Sequence, residues 1–175
     1  MLRQRLEAAL LETGFRLQRN EYGLLVSTNR VFIHDPAALL GDPQWPEVMG
    51  IPVRDYDPEE NYPFVRFKTV DELLDAPREG TTFLLFDELM LLPKEFYTRL
   101  TELCVLRRHQ RVAIFAGSQR PAKIPKEVLA FTNRLLIFAL SDRDDILKLK
   151  NLVTKEELAR IPSLSVGQYI EVRSV

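Results

Sequence analysis

Two acidic residues stand directly after an apolar run in the middle of the chain. The run 82–86 is followed by Asp87 and Glu88, which completes a Walker B pattern of apolar residues and then Asp-Glu. In that pattern the first carboxylate orients Mg²⁺ through its water shell, and the second polarises the water that attacks a γ-phosphate. The motif alone leaves a second interpretation open, a helix N-terminus at which acidic residues favour the helix dipole.

A polar cluster also follows the next apolar run. Ser118 and Gln119 come about thirty residues after the acidic pair, at the end of the run 112–116. A glutamine at the tip of a neighbouring strand can hydrogen-bond a γ-phosphate or the attacking water. We therefore predict that Gln119 is catalytic together with the acidic pair. The predicted nucleotide-binding residues are Ser118, Gln119, Asp87 and Asp35, which all follow apolar runs.

Basic residues cluster between and after these two runs. Arg107 and Arg108 stand at the end of a predicted helix, where an arginine can be presented to a neighbouring subunit. An arginine supplied in trans stabilises the transition state of phosphoryl transfer. The alternative is contact with a DNA backbone, for which we single out Arg111, Arg120 and Lys123. A third interpretation remains, since a charge run at a helix end is commonly solvated and favoured by the dipole.

The elements that must position these residues alternate between strand and helix. Strands that are apolar at every residue are buried on both faces, which is typical of a parallel sheet covered by helices. Ligands in such folds bind beyond the carboxyl ends of the strands. We predict a three-layer α/β sandwich with a mainly parallel sheet. The predicted strands are 30–34, 51–53, 82–86, 112–116, 135–140 and 168–172, and the predicted helices are 2–13, 93–109 and 126–131, with three more opened by capping boxes at Thr69, Ser141 and Thr154.

The length and composition fit one soluble domain. The chain has 175 residues, 28% of them charged and 46% hydrophobic, with a net charge of -1. One cysteine and two histidines exclude an intrachain disulfide and the usual zinc sites. No apolar run approaches the roughly 20 residues of a membrane span, so we expect a cytoplasmic protein. We predict a single domain over 1–175, with a helix and a possible hairpin in 1–29, an irregular proline-rich segment in 41–66 and a core in 69–175.

The order of these motifs resembles the FtsK–HerA division of P-loop NTPases, and it is similar to the zonula occludens toxin and filamentous-phage assembly ATPases. The resemblance implies a P-loop NTPase-like fold and an ATPase motor subunit that moves or packages DNA or assembles phage. It also implies bound ATP, Mg²⁺ held through water by Asp87, and a homo-oligomeric ring. The residues that carry the resemblance are Asp87-Glu88, Pro93, Arg107-Arg108-His109 and Ser118-Gln119-Arg120-Pro121, with supporting matches at 30–36 and onward to Val172.

One part of that family's pattern is not found in the sequence. None of the seven glycines is followed by lysine, so no Gly-Lys-Ser/Thr phosphate loop is present. The first predicted helix occupies the place of the helix that follows this loop, so we expect the fold to lack its first strand. Three explanations stay open: a sequence that starts late, a scaffold that has lost catalysis, or an unrelated N-terminus in place of the nucleotide site. A DNA-binding adaptor is a further alternative, which the net charge disfavours.

Overall fold

The computed structural model describes residues 7–8, 10–12, 15, 18–19, 25–26, 30–34, 46–60, 62–78, 80–106 and 108–173. Its strands are β1 Gln18–Arg19, β2 Leu25–Val26, β3 Arg30–His34, β4 Glu47–Val48, β5 Ile51–Pro52, β6 Arg54–Asp55, β7 Phe64–Phe67, β8 Thr82–Phe86, β9 Val112–Ala116, β10 Arg134–Ile137 and β11 Ile170–Arg173. Its helices are α1 Val70–Asp75, α2 Lys94–Leu106, α3 Lys126–Ala130, α4 Arg143–Lys148 and α5 Lys155–Arg160, with 3₁₀ turns at Leu89–Leu91, Pro121–Lys123 and Ile161–Ser163.

Five strands form the central sheet in the order β6-β7-β3-β8-β9, and all of them run parallel. Strand β8 pairs with β3 and β9 and is buried at every position. Burial on both faces favours apolar side chains on both sides of the strand, which is why the residues after Thr82 do not alternate with polar ones. The predicted α/β fold with a mainly parallel sheet is confirmed.

Strand β9 ends the sheet on one side. Within the described ranges, no strand pairs with its second edge. Ala113, Ile114 and Phe115 are accordingly only half-buried, and Ala116 is exposed. The edge strand that carries the predicted Ser118 and Gln119 tip is thus apolar along its whole length and incompletely covered.

Each face of the sheet is covered by its own apolar core. Phe32, Leu84 and Phe86 point to one face, where they pack with residues of α1 and α2. The alternate positions point to the other face and pack with Leu10 and Phe15 of the N-terminal region. Two covered faces give the three layers that were predicted. The buried stripe of α2 comprises Phe96, Leu100, Leu103 and Cys104.

Helices α1 and α2 lie side by side on the first face. A capping box begins α1, in which the Thr69 side chain accepts from the Glu72 backbone and the Glu72 side chain accepts from the Thr69 backbone. Arg99 of α2 then reaches across, with Nη1 2.7 Å from Asp71 and Nη2 2.6 Å from Asp75. The guanidinium fork therefore ties the two helices together at their exposed surface.

Residues 134–173, which we call the C-terminal unit, have a separate small core. Strand β10 does not join the central sheet but pairs antiparallel with β11. The strand predicted at 135–140 therefore exists over Arg134–Ile137, and the one predicted at 168–172 over Ile170–Arg173. The buried core residues of this unit are Ile137, Leu149, Ile161 and Ile170.

Two local predictions are wrong. The segment 41–66 was expected to be irregular with one short strand, but its described part contains β4, β5, β6 and the start of β7. Strand β7 does not show a continuous apolar pattern because Arg66 interrupts it. The guanidinium of Arg66 pairs with Asp55 of β6 at 2.8 Å. Helix α4 was expected to be capped by Ser141; Asp142 caps it instead, by accepting from Asp144 N and Asp145 N.

The N-terminal predictions are confirmed where the chain is described. Residues 7–8 and 10–12 are helical, while the remainder of the helix predicted at 2–13 lies outside the described residues. Strands β1 and β2 pair antiparallel as the predicted hairpin requires, and the predicted turn between them lies outside the described residues. A search of the described residues finds no helix with the length and apolarity needed to cross a membrane.

Candidate functional site

The polar residues after β8 and β9 are held side by side at the carboxyl edge of the sheet. Parallel pairing continues past the ends of the strands, because Asp87 N donates to His34 O at 3.2 Å. Gly117 N likewise donates to Phe86 O at 2.9 Å, and Leu89 N donates to Gly117 O at 2.9 Å. These backbone hydrogen bonds fix the tip of β8 against the tips of both neighbouring strands.

Glu88 joins the tips of β8 and β9 directly. Its carboxylate accepts from Gln119 N, at 3.0 Å to Oε2 and 3.3 Å to Oε1. Oε1 also accepts from Met90 N at 3.3 Å, which makes Glu88 the N-cap of the turn Leu89–Leu91. The structure therefore brings Glu88 and Gln119 into contact. It also gives Glu88 the capping position that the alternative interpretation of Asp-Glu requires.

Tyr97 of α2 stabilises the same turn through a side-chain hydrogen bond. Its hydroxyl donates to Leu89 O at 2.7 Å. Burial raises the pKa of Tyr97, and the nearby negative charge of Glu88 raises it further. The phenol therefore stays protonated at neutral pH and keeps its hydrogen bond to the turn.

The tip of β9 is shaped by Ser118 and Arg120. Ser118 is half-buried and its Oγ accepts from Arg120 N at 3.3 Å. Gln119 is exposed, so its amide side chain stands at the rim of the edge. The guanidinium of Arg120 pairs with Asp145 at 2.7 Å and with Asp142 at 3.1 Å. The prediction that Arg120 contacts nucleic acid stays a prediction, although two carboxylates of this chain already bind it.

Other predicted site residues lie away from this edge. Arg111 directly precedes β9, so it stands at the amino edge of the sheet together with the exposed Arg108. At about 3.3 Å per residue, Arg111 lies about 23 Å along the chain from the Ser118 tip. Lys123 is exposed at the carboxyl side, after the tip. The predicted basic patch is therefore divided between the two ends of the sheet, and Asp35 and Arg107 lie outside the described residues.

Asp87 and Glu88 are the carboxylates at the carboxyl edge that would be available to a Mg²⁺ ion. Among the described residues there is no group of three histidine, cysteine, aspartate or glutamate side chains that could hold a metal ion. Asp87 is half-buried beside Glu88, and carboxylate oxygens with ordered water are the ligands Mg²⁺ prefers. These residues fit Mg²⁺ and the terminal phosphate of a nucleotide. No described residue at this edge belongs to a Gly-Lys loop that would cradle the remaining phosphates.

Sequence reasoning missed three residues around the site. It predicted a helix opened at Ser141 without placing Asp142 or Asp145 among the site residues, and it did not single out Tyr97. The signal for the aspartates was their place in the first turn of a helix, but a partner 22 to 25 residues away in sequence leaves no local pattern. Tyr97 follows the buried Phe96, and nothing in the helical spacing distinguishes a tyrosine that serves a neighbouring turn.

The parallel five-stranded sheet and its two covered faces define an α/β fold that matches solved structures of a genome-packaging NTPase. The chain is similar to the genome packaging NTPase B204 from Sulfolobus turreted icosahedral virus 2 in complex with AMP, with a TM-score of 0.66 and 12% identity over 98% of this chain and 84% of that one. The structure of that protein in complex with ATP-γS gives a TM-score of 0.66 at 12% identity, over 96% of this chain and 81% of that one. The structure of the DNA-packaging ATPase B204 from Sulfolobus Turreted Icosahedral Virus gives a TM-score of 0.67 at 12% identity, over 99% of this chain and 90% of that one.

At this level of identity the likeness shows the fold. No family model matches the chain, and no curated protein matches it.

Proposed function

We propose that this chain is an ATPase-like motor subunit of the FtsK–HerA type, which acts in DNA packaging or translocation or in phage assembly. The observation that carries the proposal is the contact between Glu88 and Gln119 N, at 3.0 Å, across the tips of two adjacent parallel strands. It brings the acidic pair and the polar tip together at one edge of the sheet, where the proposed phosphoryl transfer would take place. The packaging NTPase fold supports the same conclusion, and the B204 structures hold AMP and ATP-γS.

Each residue at the edge has a chemical task in this proposal. Asp87 orients the water shell of Mg²⁺, and Ser118 and Gln119 hydrogen-bond the terminal phosphate. Bound Mg²⁺ supplies neutralisation of the phosphate charge. Glu88 orients the attacking water and accepts its proton. A carboxylate offers about four lone-pair sites, so Glu88 can keep its backbone contacts with Gln119 and Met90 while it also holds a water.

Binding of Mg-ATP by isothermal titration calorimetry tests the nucleotide site. We expect saturable binding that Asp87→Asn weakens at least tenfold. Glu102→Gln is the matched control, because Glu102 is exposed on α2 and its replacement also removes one negative charge. Absence of Mg-ATP binding to the wild-type chain would exclude nucleotide turnover by this polypeptide.

Phosphate release tests the role assigned to Glu88. Glu88→Gln keeps the size of the side chain but cannot accept the proton of the attacking water, so we expect retained binding and abolished hydrolysis. Glu102→Gln should hydrolyse ATP at the wild-type rate. Unchanged turnover in Glu88→Gln would remove Glu88 from the mechanism.

A ring and a DNA contact complete the proposal. Arg108 is exposed at the amino edge, so in this scheme it serves the site of a neighbouring subunit rather than its own. Arg111 is exposed at the same edge and Lys123 at the other, and both are assigned to DNA. Analytical ultracentrifugation tests the ring. Arg108→Ala should reduce turnover without weakening nucleotide binding, and wild-type turnover in that variant would refute the trans arginine.

The second candidate is a catalytically inactive NTPase-fold scaffold or interaction protein. It is favoured by the capping contacts of Glu88, which give this carboxylate a structural task, and by the lack of any Gly-Lys pair in the 175 residues. In this case Glu88→Gln alters stability but no turnover exists to alter. Tight Mg-ATP binding that depends on Asp87 would exclude the scaffold.

A further inference from the structure

The tip of β9 is fixed not only by the sheet but also by the C-terminal unit. We propose that Arg120 is a positioning residue, whose ion pair with Asp145 holds the Ser118–Gln119–Arg120 tip and thereby sets the contact between Gln119 and Glu88. The proposal concerns the geometry of the edge, so it stands whether or not the chain turns over a nucleotide.

Asp145 is the anchor of this arrangement. Its side chain is only 2% exposed, and its two oxygens accept from two residues of the tip region. Oδ2 accepts from Arg120 Nε at 2.7 Å, and Oδ1 accepts from Ala122 N at 2.8 Å. A buried carboxylate is retained in a fold when it is both paired and hydrogen-bonded. Asp145 therefore binds the two residues on either side of Pro121.

A second carboxylate fixes the direction of the guanidinium group. Asp142 caps α4 through Oδ1, which accepts from Asp144 N at 2.9 Å and from Asp145 N at 3.3 Å. Its other oxygen accepts from Arg120 Nη2 at 3.1 Å. The planar fork of arginine thus spans two carboxylates in the first turn of one helix, a geometry that a lysine with a single nitrogen cannot reproduce.

The same peptide carries the contact to the acidic edge. Gln119, the neighbour of Arg120 in sequence, donates its backbone N–H to Glu88. Arg120 N donates to Ser118 Oγ, which folds the tip back on itself. Because the tip is short and held at both ends, displacement of the Arg120 side chain displaces the Gln119 amide. A continuous path then leads from Glu88 through Gln119 and Arg120 to Asp145.

The far end of that path belongs to a different core. Helix α4 packs through Ile146, and Leu149 directly after it is buried in the core of the C-terminal unit, which is separate from the two cores of the central sheet. Movement of the C-terminal unit relative to the sheet would be transmitted to the acidic edge through the Arg120–Asp145 ion pair. Through this ion pair, the C-terminal unit would set the position of the Ser118–Gln119–Arg120 tip.

Amide hydrogen exchange measured by NMR tests the proposal on the full chain. Asp145→Asn keeps the shape of the side chain and removes the ion pair, and we expect exchange of the Gln119 amide to rise about tenfold, with a shifted ¹⁵N resonance. Asp144→Asn is the matched control, because Asp144 lies on the same helix, is exposed and loses the same charge. In Asp144→Asn, the Gln119 amide should exchange at the wild-type rate.

A general loss of stability is separated from a positioning effect by the core amides. The amides of Leu84 in β8 and Ile170 in β11 report the two structural units, and in Asp145→Asn their exchange should rise much less than that of the Gln119 amide. If they accelerate as much as Gln119, the ion pair is merely structural and the proposal is overturned. If Asp145→Asn does not fold, Arg120→Lys decides by the same readout. An unchanged Gln119 amide in Arg120→Lys, or in a folded Asp145→Asn, would also overturn it.

Discussion

Removal of the Glu88 side chain tests whether this carboxylate supports the fold as well as the proposed chemistry. Its oxygens accept from two backbone donors, Gln119 N and Met90 N. A hydrogen bond to a charged acceptor contributes about 1.5–3 kcal/mol when it is buried. Glu88 is only half-buried, so water competes for both donors and about 0.5–1 kcal/mol for each is the appropriate value. Glu88→Ala should therefore lower the free energy of unfolding by about 1–2 kcal/mol.

Glu88→Gln should cost less than Glu88→Ala. The amide keeps one acceptor oxygen and can still serve one of the two donors, but it loses the charge that strengthens the bond. We expect a loss of about 0.5–1 kcal/mol for this variant. The order of stability is thus wild type, Glu88→Gln and Glu88→Ala.

Urea unfolding followed by far-ultraviolet circular dichroism measures these differences. For a chain of this size, about 1–2 kcal/mol also lowers the thermal midpoint by about 2–8 °C. Glu102→Ala is the control, because Glu102 is exposed on α2 and alanine suits a helix. If Glu88→Ala unfolds within about 0.3 kcal/mol of the wild type, the two amides are equally well satisfied by water. The carboxylate would then have no structural role, and the scaffold alternative would lose one of its two supports.

Three further predictions concern the surroundings of the edge. Arg120→Ala leaves Asp145 as a buried and poorly compensated charge, so we expect urea unfolding to show a loss of about 2–3 kcal/mol in the free energy of unfolding. This loss is smaller than the roughly 3–5 kcal/mol of fully buried ion pairs, because the Arg120 side chain is 41% exposed. Asp145→Asn should cost less than Arg120→Ala, and the reverse order would contradict the assignment of Asp145 as the buried partner. Tyr97→Phe removes the hydrogen bond to the turn and should cost about 1 kcal/mol at pH 7. Because the pKa of Tyr97 is raised in the folded state, its stabilising effect is complete below the ordinary value of about 10 and is lost as the pH rises through the higher folded value. The thermal midpoint of the wild type should therefore fall more steeply than that of Tyr97→Phe above about pH 10, and parallel curves would refute this. Thr69→Ala should lower stability by about 1 kcal/mol and Thr69→Ser should restore it, since the hydroxyl caps α1; equal unfolding midpoints of Thr69→Ala and wild type would contradict the capping role.

The central strands could be predicted from sequence because strands buried on both faces consist of consecutive apolar residues. Strand β9 is apolar at every residue and β8 at every residue after Thr82, so both were predicted with their bounds. Strand β7 could not be predicted in the same way. Its Arg66 is compatible with a strand only because Asp55 of the adjacent β6 pairs with it, and that partner is known only once the strands are aligned.

The partner of a strand is harder to predict than the strand itself. The sequence predicted strands close to β10 and β11 but contained no signal that they pair with each other and leave the central sheet. The pairing depends on the small core of the C-terminal unit, which joins residues from Ile137 to Ile170. Such contacts over long sequence distances are not visible in hydrophobic periodicity.

The candidate site was predicted in part for the same physical reason. Parallel strands bring their carboxyl ends to one edge, so Asp87, Glu88 and Gln119 could be grouped from the order of the elements alone. The direct contact between Glu88 and Gln119 N, and the ion pair of Arg120 with Asp145, depend on side-chain directions. Charge patterning even suggested another partner for Arg120, because a basic residue near a loop has the same appearance whether it meets DNA or a buried carboxylate.

The open side of β9 has a consequence for the behaviour of the chain in solution. An apolar edge strand carries backbone donors and acceptors in a row, and natural proteins protect such rows with lysine, proline or a bulge. Within Val112–Ala116 there is no charged residue and no proline, and no described strand covers the second edge. This edge of β9 therefore has the backbone groups to accept an extended segment as a further strand.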